Sequence, residues 1–141
     1  MSIYVDSSFL VAVYLSDIHT PTALRRITKH PAIWFTPFHE VELVHAIAQN
    51  VFRGQILPEV AERIYAEIEK DCRAAVWHLV GLPDTAYGTA AKLARIHVPQ
   101  VGSRTLDTLH VAAALELGAK EFWTFDDRQK KLAKAVGLKA F

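Results

Sequence analysis

Five short strand-like runs, each separated from the next by a longer stretch of helical periodicity, constrain this chain more than any other feature. The runs cover residues 3–5, 33–36, 76–80, 121–125 and 138–140. Strands joined through helices lie parallel, and their helices cover both faces of the sheet. An α/β fold with a largely parallel sheet follows. Helices are expected over residues 7–15, 20–29, 37–53, 58–73, 83–95, 105–117 and 127–136. Thr20-Pro21 reads as an N-cap followed by proline at the first helical position, and Gly54, Gly118 and Gly137 act as stops.

Two of the strand runs end in aspartate. Ile3-Tyr4-Val5 leads into Asp6-Ser7-Ser8, and Phe122-Trp123-Thr124-Phe125 leads into Asp126-Asp127. In open α/β sheets ligands bind at the carboxyl ends of the strands. A third acid, Asp107, opens the most apolar helical run of the chain. Carboxylates brought together repel one another unless a proton or a cation lies between them. The pattern points to a divalent metal ion.

Each acid also has a plainer reading. Asp6 and Asp126 can serve as helix N-caps, accepting from orphan backbone N–H groups. Asp107 sits in a first helical turn, where a negative charge gains about 0.3–1 kcal/mol from the helix dipole. Thr124 shares a strand face with Asp126 and can hydrogen-bond the site. His110, one turn beyond Asp107, reads as a satisfied core histidine. Glu40 and Glu42 compete for one role. Glu42, His45 and Gln49 form a stripe along one side of their helix, and such stripes are usually solvated.

With 141 residues the chain is expected to form one domain, residues 1–141, large enough for a proper core. The apolar fraction of 51% comes in stretches too short to span a bilayer. No basic-then-apolar leader precedes the first strand, and the single cysteine, Cys72, allows no internal disulfide. Both observations lead to a cytoplasmic expectation. Sixteen basic and fifteen acidic side chains give a net charge of +1, which neither requires nor excludes a nucleic-acid partner. Arg25, Arg26, Lys29 and His30 form one basic cluster, and Arg128, Lys130, Lys131 and Lys134 another; solvated helix faces explain both. Trp34, Trp77 and Trp123 lie in or beside strands and are expected in the core.

Taken together, these residues resemble the PIN-domain nucleases, and among them the VapC-type toxins of toxin–antitoxin pairs. The likeness rests on Ile3-Tyr4-Val5-Asp6-Ser7-Ser8, on Thr36-Pro37-Phe38-His39-Glu40-Val41-Glu42 leading into a helix, and on Arg104-Thr105-Leu106-Asp107-Thr108-Leu109-His110-Val111-Ala112-Ala113-Ala114. It closes on Phe122-Trp123-Thr124-Phe125-Asp126, with Leu132-Ala133 and Gly137-Leu138 following. The resemblance implies a three-layer α/β/α sandwich and a Mg²⁺- or Mn²⁺-dependent endoribonuclease. It implies Asp6, Glu42, Asp107 and Asp126 as the catalytic and metal-binding acids, with Glu40 the second choice for the glutamate. Ser7 and Arg104 fall at positions that support the acids or touch substrate. His45 stands where many relatives carry asparagine. The implied partners are RNA, a small antitoxin and a second copy of the chain, with no membrane.

Two other functions fit parts of this pattern. A PIN-like domain without catalysis would bind RNA or protein. A phosphatase or response-regulator-like domain would need a lysine ending another strand; Thr36 supplies a hydroxyl, but no strand run ends in lysine.

Overall fold

Strand β1 (Ile3–Val5) lies at the centre of the sheet, flanked by β2 (Ile33–Phe35) and β4 (Glu121–Trp123). The outer strands are β3 (His78–Leu79) and β5 (Lys139–Ala140), giving the order β3-β2-β1-β4-β5. Every pairing is parallel; Ile3 stands opposite both Ile33 and Glu121, and Val5 opposite Trp123. This computed structural model describes residues 2–29 and 32–141. His30 of the first basic cluster lies outside the described residues.

The helices are α1 (Ser7–Tyr14), α2 (Thr20–Ile27), α3 (Pro37–Phe52), α4 (Pro58–Arg73), α5 (Thr85–Val101), α6 (Thr105–Glu116) and α7 (Asp127–Ala135). Successive strand side chains point to opposite faces, so three residues of β1 feed two cores. Ile3 and Val5 pack with Phe9, Leu10, Leu43, Ile47, Ile68 and Trp77 from α1, α3, α4 and the approach to β3. Tyr4 packs on the other face with Leu93, Leu109, Val111, Phe122 and Leu132, from α5, α6, β4 and α7. The result is the expected three-layer α/β/α sandwich. Trp77 and Trp123 are buried, as expected of them. No helix among the described residues is long and apolar enough to cross a membrane.

Helix α6 is apolar nearly all round, and its residues from Asp107 to Ala114 are all buried. Such a helix must be covered on every side. Its Ala112-Ala113-Ala114 run lets neighbouring layers approach closely, and α5 supplies much of the cover.

Three expectations need correction. The strands other than β1 are shorter than the apolar runs: Thr36 has already turned to cap α3, and β4 ends at Trp123, ahead of the Asp126 cap of α7. Thr20 is the first residue of α2 and not its cap; its hydroxyl donates instead to the Ala12 carbonyl, at 2.6 Å. Helix α5 runs past Arg95 to Val101 and contains Pro99. That proline lies in the last turn, where it interrupts little, and the helix stops at Gly102 in the left-handed region with φ 72°.

Candidate active site

The chain builds β1, β2 and β3 outward in one direction, then returns to the other side of β1 for β4 and β5. Connections leaving β1 and β4 therefore diverge, and a crevice opens at their carboxyl ends. There the structure has a cavity of about 620 Å³ lined by Ser7, Ser8, Asp17, His19, Glu42, Arg104, Asp107, Phe125, Asp126 and Gln129. The stripe Glu42, His45 and Gln49 faces this cleft and is not simply a solvated surface. Glu40 points elsewhere, into a groove with Phe35, Cys72 and Arg73.

Asp6 forms the floor of the site and is fully buried. It caps α1 through the Phe9 N–H, at 3.1 Å on Oδ1, and the same oxygen accepts from Ser8 Oγ at 2.7 Å. Its Oδ2 accepts from Thr124 Oγ1 at 2.6 Å and Gln129 Nε2 at 2.8 Å. Asp6 is thus an N-cap, and the cap lies beneath the cleft. Burial pushes its pKa up; the neighbouring His110 and the hydrogen bonds from Thr124, Ser8 and Phe9 pull it back down.

Gln129 joins two of the acids. Its Nε2 also donates to Asp107 Oδ1, at 3.1 Å, so one amide nitrogen stands between the carboxylates of Asp6 and Asp107. Gln129 is only 2% exposed, and its Oε1 has no hydrogen-bond partner in the protein. A buried acceptor left in that state costs on the order of 1–3 kcal/mol. The other oxygen of Asp107 accepts from Arg104 Nε, at 3.1 Å, and from the Arg104 backbone N–H, closing the first turn of α6. This partner raises the pKa of the largely exposed guanidinium.

Glu42 comes from the second turn of α3 and meets Nε2 of His110. That histidine is fully buried, and its Nδ1 lies 2.8 Å from the Tyr4 hydroxyl. A carboxylate can only accept, so Nε2 turns a proton to Glu42, and Nδ1 pairs with the tyrosine hydroxyl. Burial drives the Tyr4 pKa well above the usual phenol range, with Asp6 and Glu42 adding to the effect. The expected core histidine is thus also the strut that holds Glu42. Asp126 caps α7 by accepting from the Gln129 N–H at 2.9 Å, while its own N–H donates to Thr124 Oγ1.

A second buried histidine, His39, fixes β1 to the start of α3. Its Nε2 donates to the Val5 carbonyl at 2.7 Å, and its Nδ1 accepts from the Thr36 N–H at 2.9 Å. Burial, reinforced by His110, lowers its pKa to about 3 despite the bond to Val5, so the ring is neutral. Thr36 is spent on this cap, which removes the hydroxyl that a phosphatase reading would use.

Ser8, Gln129 and His39 were not among the residues singled out in the sequence. Ser8, rather than Ser7, is the hydroxyl that holds Asp6. Gln129 could have been noticed, because Asp126-x-x-Gln129 has capping-box spacing. Its side chain nonetheless reaches away from the cap to Asp6 and Asp107.

The donor set suits a hard divalent cation. Among the described residues, no three His, Cys, Asp or Glu side chains converge tightly enough to form a complete cage. A closed zinc site would need about four protein ligands, whereas Mg²⁺ commonly takes one or two carboxylates and fills the rest with water. Asp6 and Asp107, divided by a single amide nitrogen, offer such a pair of oxygens.

The family model described as PIN domain matches residues 3–135. This chain belongs to the PIN domain family. No curated protein sequence matches it. Among solved structures, this PIN domain is similar to Mycobacterium tuberculosis VapC20, a Sarcin-Ricin loop cleaving toxin. The TM-score is 0.70 at 18% identity, covering 96% of this chain and 95% of that one. FitAcB from Neisseria gonorrhoeae gives 0.73 at 12% identity, covering 99% and 96%. VapBC2 from Rickettsia felis, bound to a DNA fragment from their promoter, gives 0.69 at 14%, covering 100% and 98%. At these identities the likeness is one of fold: the PIN domain here has the architecture of the VapC-like proteins.

Proposed function

We propose that this PIN domain is a Mg²⁺- or Mn²⁺-dependent endoribonuclease and the toxin of a toxin–antitoxin pair. The observation that carries the reading is the placement of Asp6 and Asp107 on either side of one amide nitrogen, with Glu42 and Asp126 lining the same cleft. Asp6 and Asp107 would hold the principal ion, and Glu42 and Asp126 would bind through water or complete a second site. A cation bound there polarises a phosphoryl oxygen and lowers the pKa of a coordinated water.

The protein's own groups prepare that chemistry. Ser8, Thr124 and the Phe9 N–H keep the plane of the Asp6 carboxylate fixed. His110 holds Glu42 toward the cleft, where it or Asp126 orients the attacking water. Arg104, largely exposed on the lip beside Asp107, would contact a phosphate of the RNA. His19 and Phe125 stack with ring centroids 4.3 Å apart and planes 8° from parallel on the same wall. That stack offers a flat face to an unpaired base.

An inhibitory partner fits the same charges, since a guanidinium can satisfy clustered carboxylates in place of a metal. The antitoxin is therefore expected to bring an arginine to the cleft. Self-association is supported by an apolar groove of about 480 Å³ between α5 and α6, lined by Tyr87, Ala90, Ala94, Leu106 and Leu109. The reading places the protein in the cytoplasm, with its RNA.

Cleavage of labelled structured RNA with Mg²⁺ or Mn²⁺ tests the proposal. Wild type should cut, and EDTA, Asp6→Asn and Asp107→Asn should each abolish cutting in a folded protein. RNA binding without cleavage in wild type would favour the non-catalytic module; equal weak cleavage by all three proteins would indicate a contaminant.

A further inference from the structure

We propose that Gln129 is a two-state positioning residue: its amide nitrogen clamps Asp6 and Asp107 together without cation, and the amide turns over to present Oε1 when a divalent cation binds. The inference rests on the metal-dependent reading above and assigns that site a residue outside its acidic set.

The orientation of the amide is fixed by chemistry. Both neighbours of Nε2 are carboxylate oxygens, Asp6 Oδ2 at 2.8 Å and Asp107 Oδ1 at 3.1 Å. Only the NH₂ end has two protons to give them; an amide oxygen there would oppose two acceptors. The clamp therefore does in the metal-free protein what a cation would do, which is to sit between two carboxylates that otherwise repel.

The clamp also stands in the way. Each oxygen of Asp6 already accepts two hydrogen bonds, from Ser8 and Phe9 on one and from Thr124 and Gln129 on the other. A carboxylate has about four such sites, so Asp6 has none left for an ion. Phe9 donates from the backbone of α1, and Thr124 is fixed by the Asp126 N–H that it accepts. Gln129 is the donor between Asp6 and Asp107, and it is the one that must withdraw.

A half-turn about its last side-chain bond is the smallest movement that does so. That torsion is broad and roughly two-fold, so both orientations are accessible. The turn removes N–H from the carboxylates and replaces it with Oε1, a hard oxygen of the kind Mg²⁺ and its waters accept. It also gives a partner to Oε1, and moves the NH₂ group to the position where Oε1 had none, so the turned state is favoured only when a cation is bound. The backbone need not move, since the Gln129 N–H stays on Asp126 at the start of α7.

The test uses the full chain, with Mn²⁺ binding followed by electron paramagnetic resonance and thermal unfolding followed with and without Mg²⁺. Gln129→Leu should bind Mn²⁺ about 10–100-fold more weakly than wild type, the range seen when groups supporting metal ligands are removed. Gln129→Glu can meet a cation but cannot donate to Asp6 or Asp107. It should melt below wild type without cation and recover on adding Mg²⁺, with a larger cation-induced rise. In wild type the Gln129 side-chain amide resonances should move as Mg²⁺ saturates the site, a readout that survives even if a variant fails to fold. Wild-type Mn²⁺ affinity in Gln129→Leu, or amide resonances that stay put at saturation, would overturn this proposal while leaving the metal site standing. Absence of Mn²⁺ binding by wild type would overturn both.

Discussion

The cleft at the ends of β1 and β4 and the groove at the ends of β2 and β3 resemble one another in size and acidity. Their cavities are about 620 and 550 Å³, and each has carboxylates in its wall. They differ in how those carboxylates are held. In the groove, Glu40 and Glu69 stand on helix surfaces, and Glu69 pairs with Arg73 at 3.8 Å with both side chains about 70% exposed. Such a pair is screened by water and contributes little. In the cleft, Asp6 is fully buried, and Asp107 is tied to it through a buried amide. Negative charge collected out of water creates a demand for a cation; negative charge left on the surface does not.

The sharpest way to break this comparison is to neutralise one glutamate in each cavity. Glu42→Gln should lower the rate of metal-dependent RNA cleavage by about 100-fold or more, equivalent to about 2.7 kcal/mol of barrier. Glu40→Gln should stay within about two-fold. Single-turnover assays of both variants decide it, and equal losses would mean that both cavities serve cleavage.

Stability should show the same contrast. Tyr4→Phe leaves Nδ1 of fully buried His110 without its partner, which should cost about 1–3 kcal/mol. Glu69→Gln, in the groove, loosens only the exposed pair with Arg73. Its cost should be at most about 1 kcal/mol. Thermal or urea unfolding of the two variants would measure the difference, and a larger loss for Glu69→Gln would reverse the assignment of which side depends on buried polar contacts.

Substrate affinity sharpens the comparison further. His19→Ala removes the outer ring of the cleft-wall stack and should weaken single-stranded RNA binding by about 1 kcal/mol, the lower end for stacking on a base. Arg73→Ala removes a positive charge from the groove and should change affinity less than two-fold. Fluorescence anisotropy at fixed salt separates them; a stronger effect of Arg73 would put the RNA on the other side.

The pH dependence of His39, which fixes β1 to the start of α3, gives the gentlest test. His39 has a folded pKa of about 3, below the roughly 6.5 of an unfolded imidazole. Below about pH 6.5 the unfolded chain takes up a proton that the folded ring refuses. Stability from this group is therefore intact at neutral pH and falls by up to about 1.4 kcal/mol per pH unit on acidification. The raised pKa of Asp6 has the opposite sign and partly offsets the loss as pH falls through it. Nitrogen NMR should find His39 as the neutral Nε2–H form at pH 5, and a ring that protonates near pH 6 would contradict its burial.

Alternation of strand and helix was enough to read the layered parallel sheet, because the period of apolar residues is a local property of the chain. The strand ends were less legible. Thr36 and the pair Thr124-Phe125 continue their runs in sequence but leave the strands as the chain turns to cap α3 and α7, and backbone capping depends on where the next helix lies. Helix α5 was carried only to Arg95, whereas it continues to Val101 because Pro99, in a last turn, breaks little. In the site, Asp6, Asp107 and Asp126 stood out by residue type and position, while Glu42 and Glu40 competed for one role. Ser8, Gln129 and His39 did not stand out, since serine, glutamine and histidine near a helix start have many local explanations.

What the sequence determined by itself was the class of fold, the family and a set of acids at the ends of strands and the starts of helices. Those are consequences of patterns spanning a few residues. Only the tertiary structure decided that Glu42 and not Glu40 enters the cleft, and that Asp6 lies under it rather than in its wall. It also decided that one amide from α7 joins acids contributed by β1 and α6. The reason is geometric: Asp6 and Gln129 are 123 residues apart along the chain, and their contact exists only because β4 returns to pair beside β1.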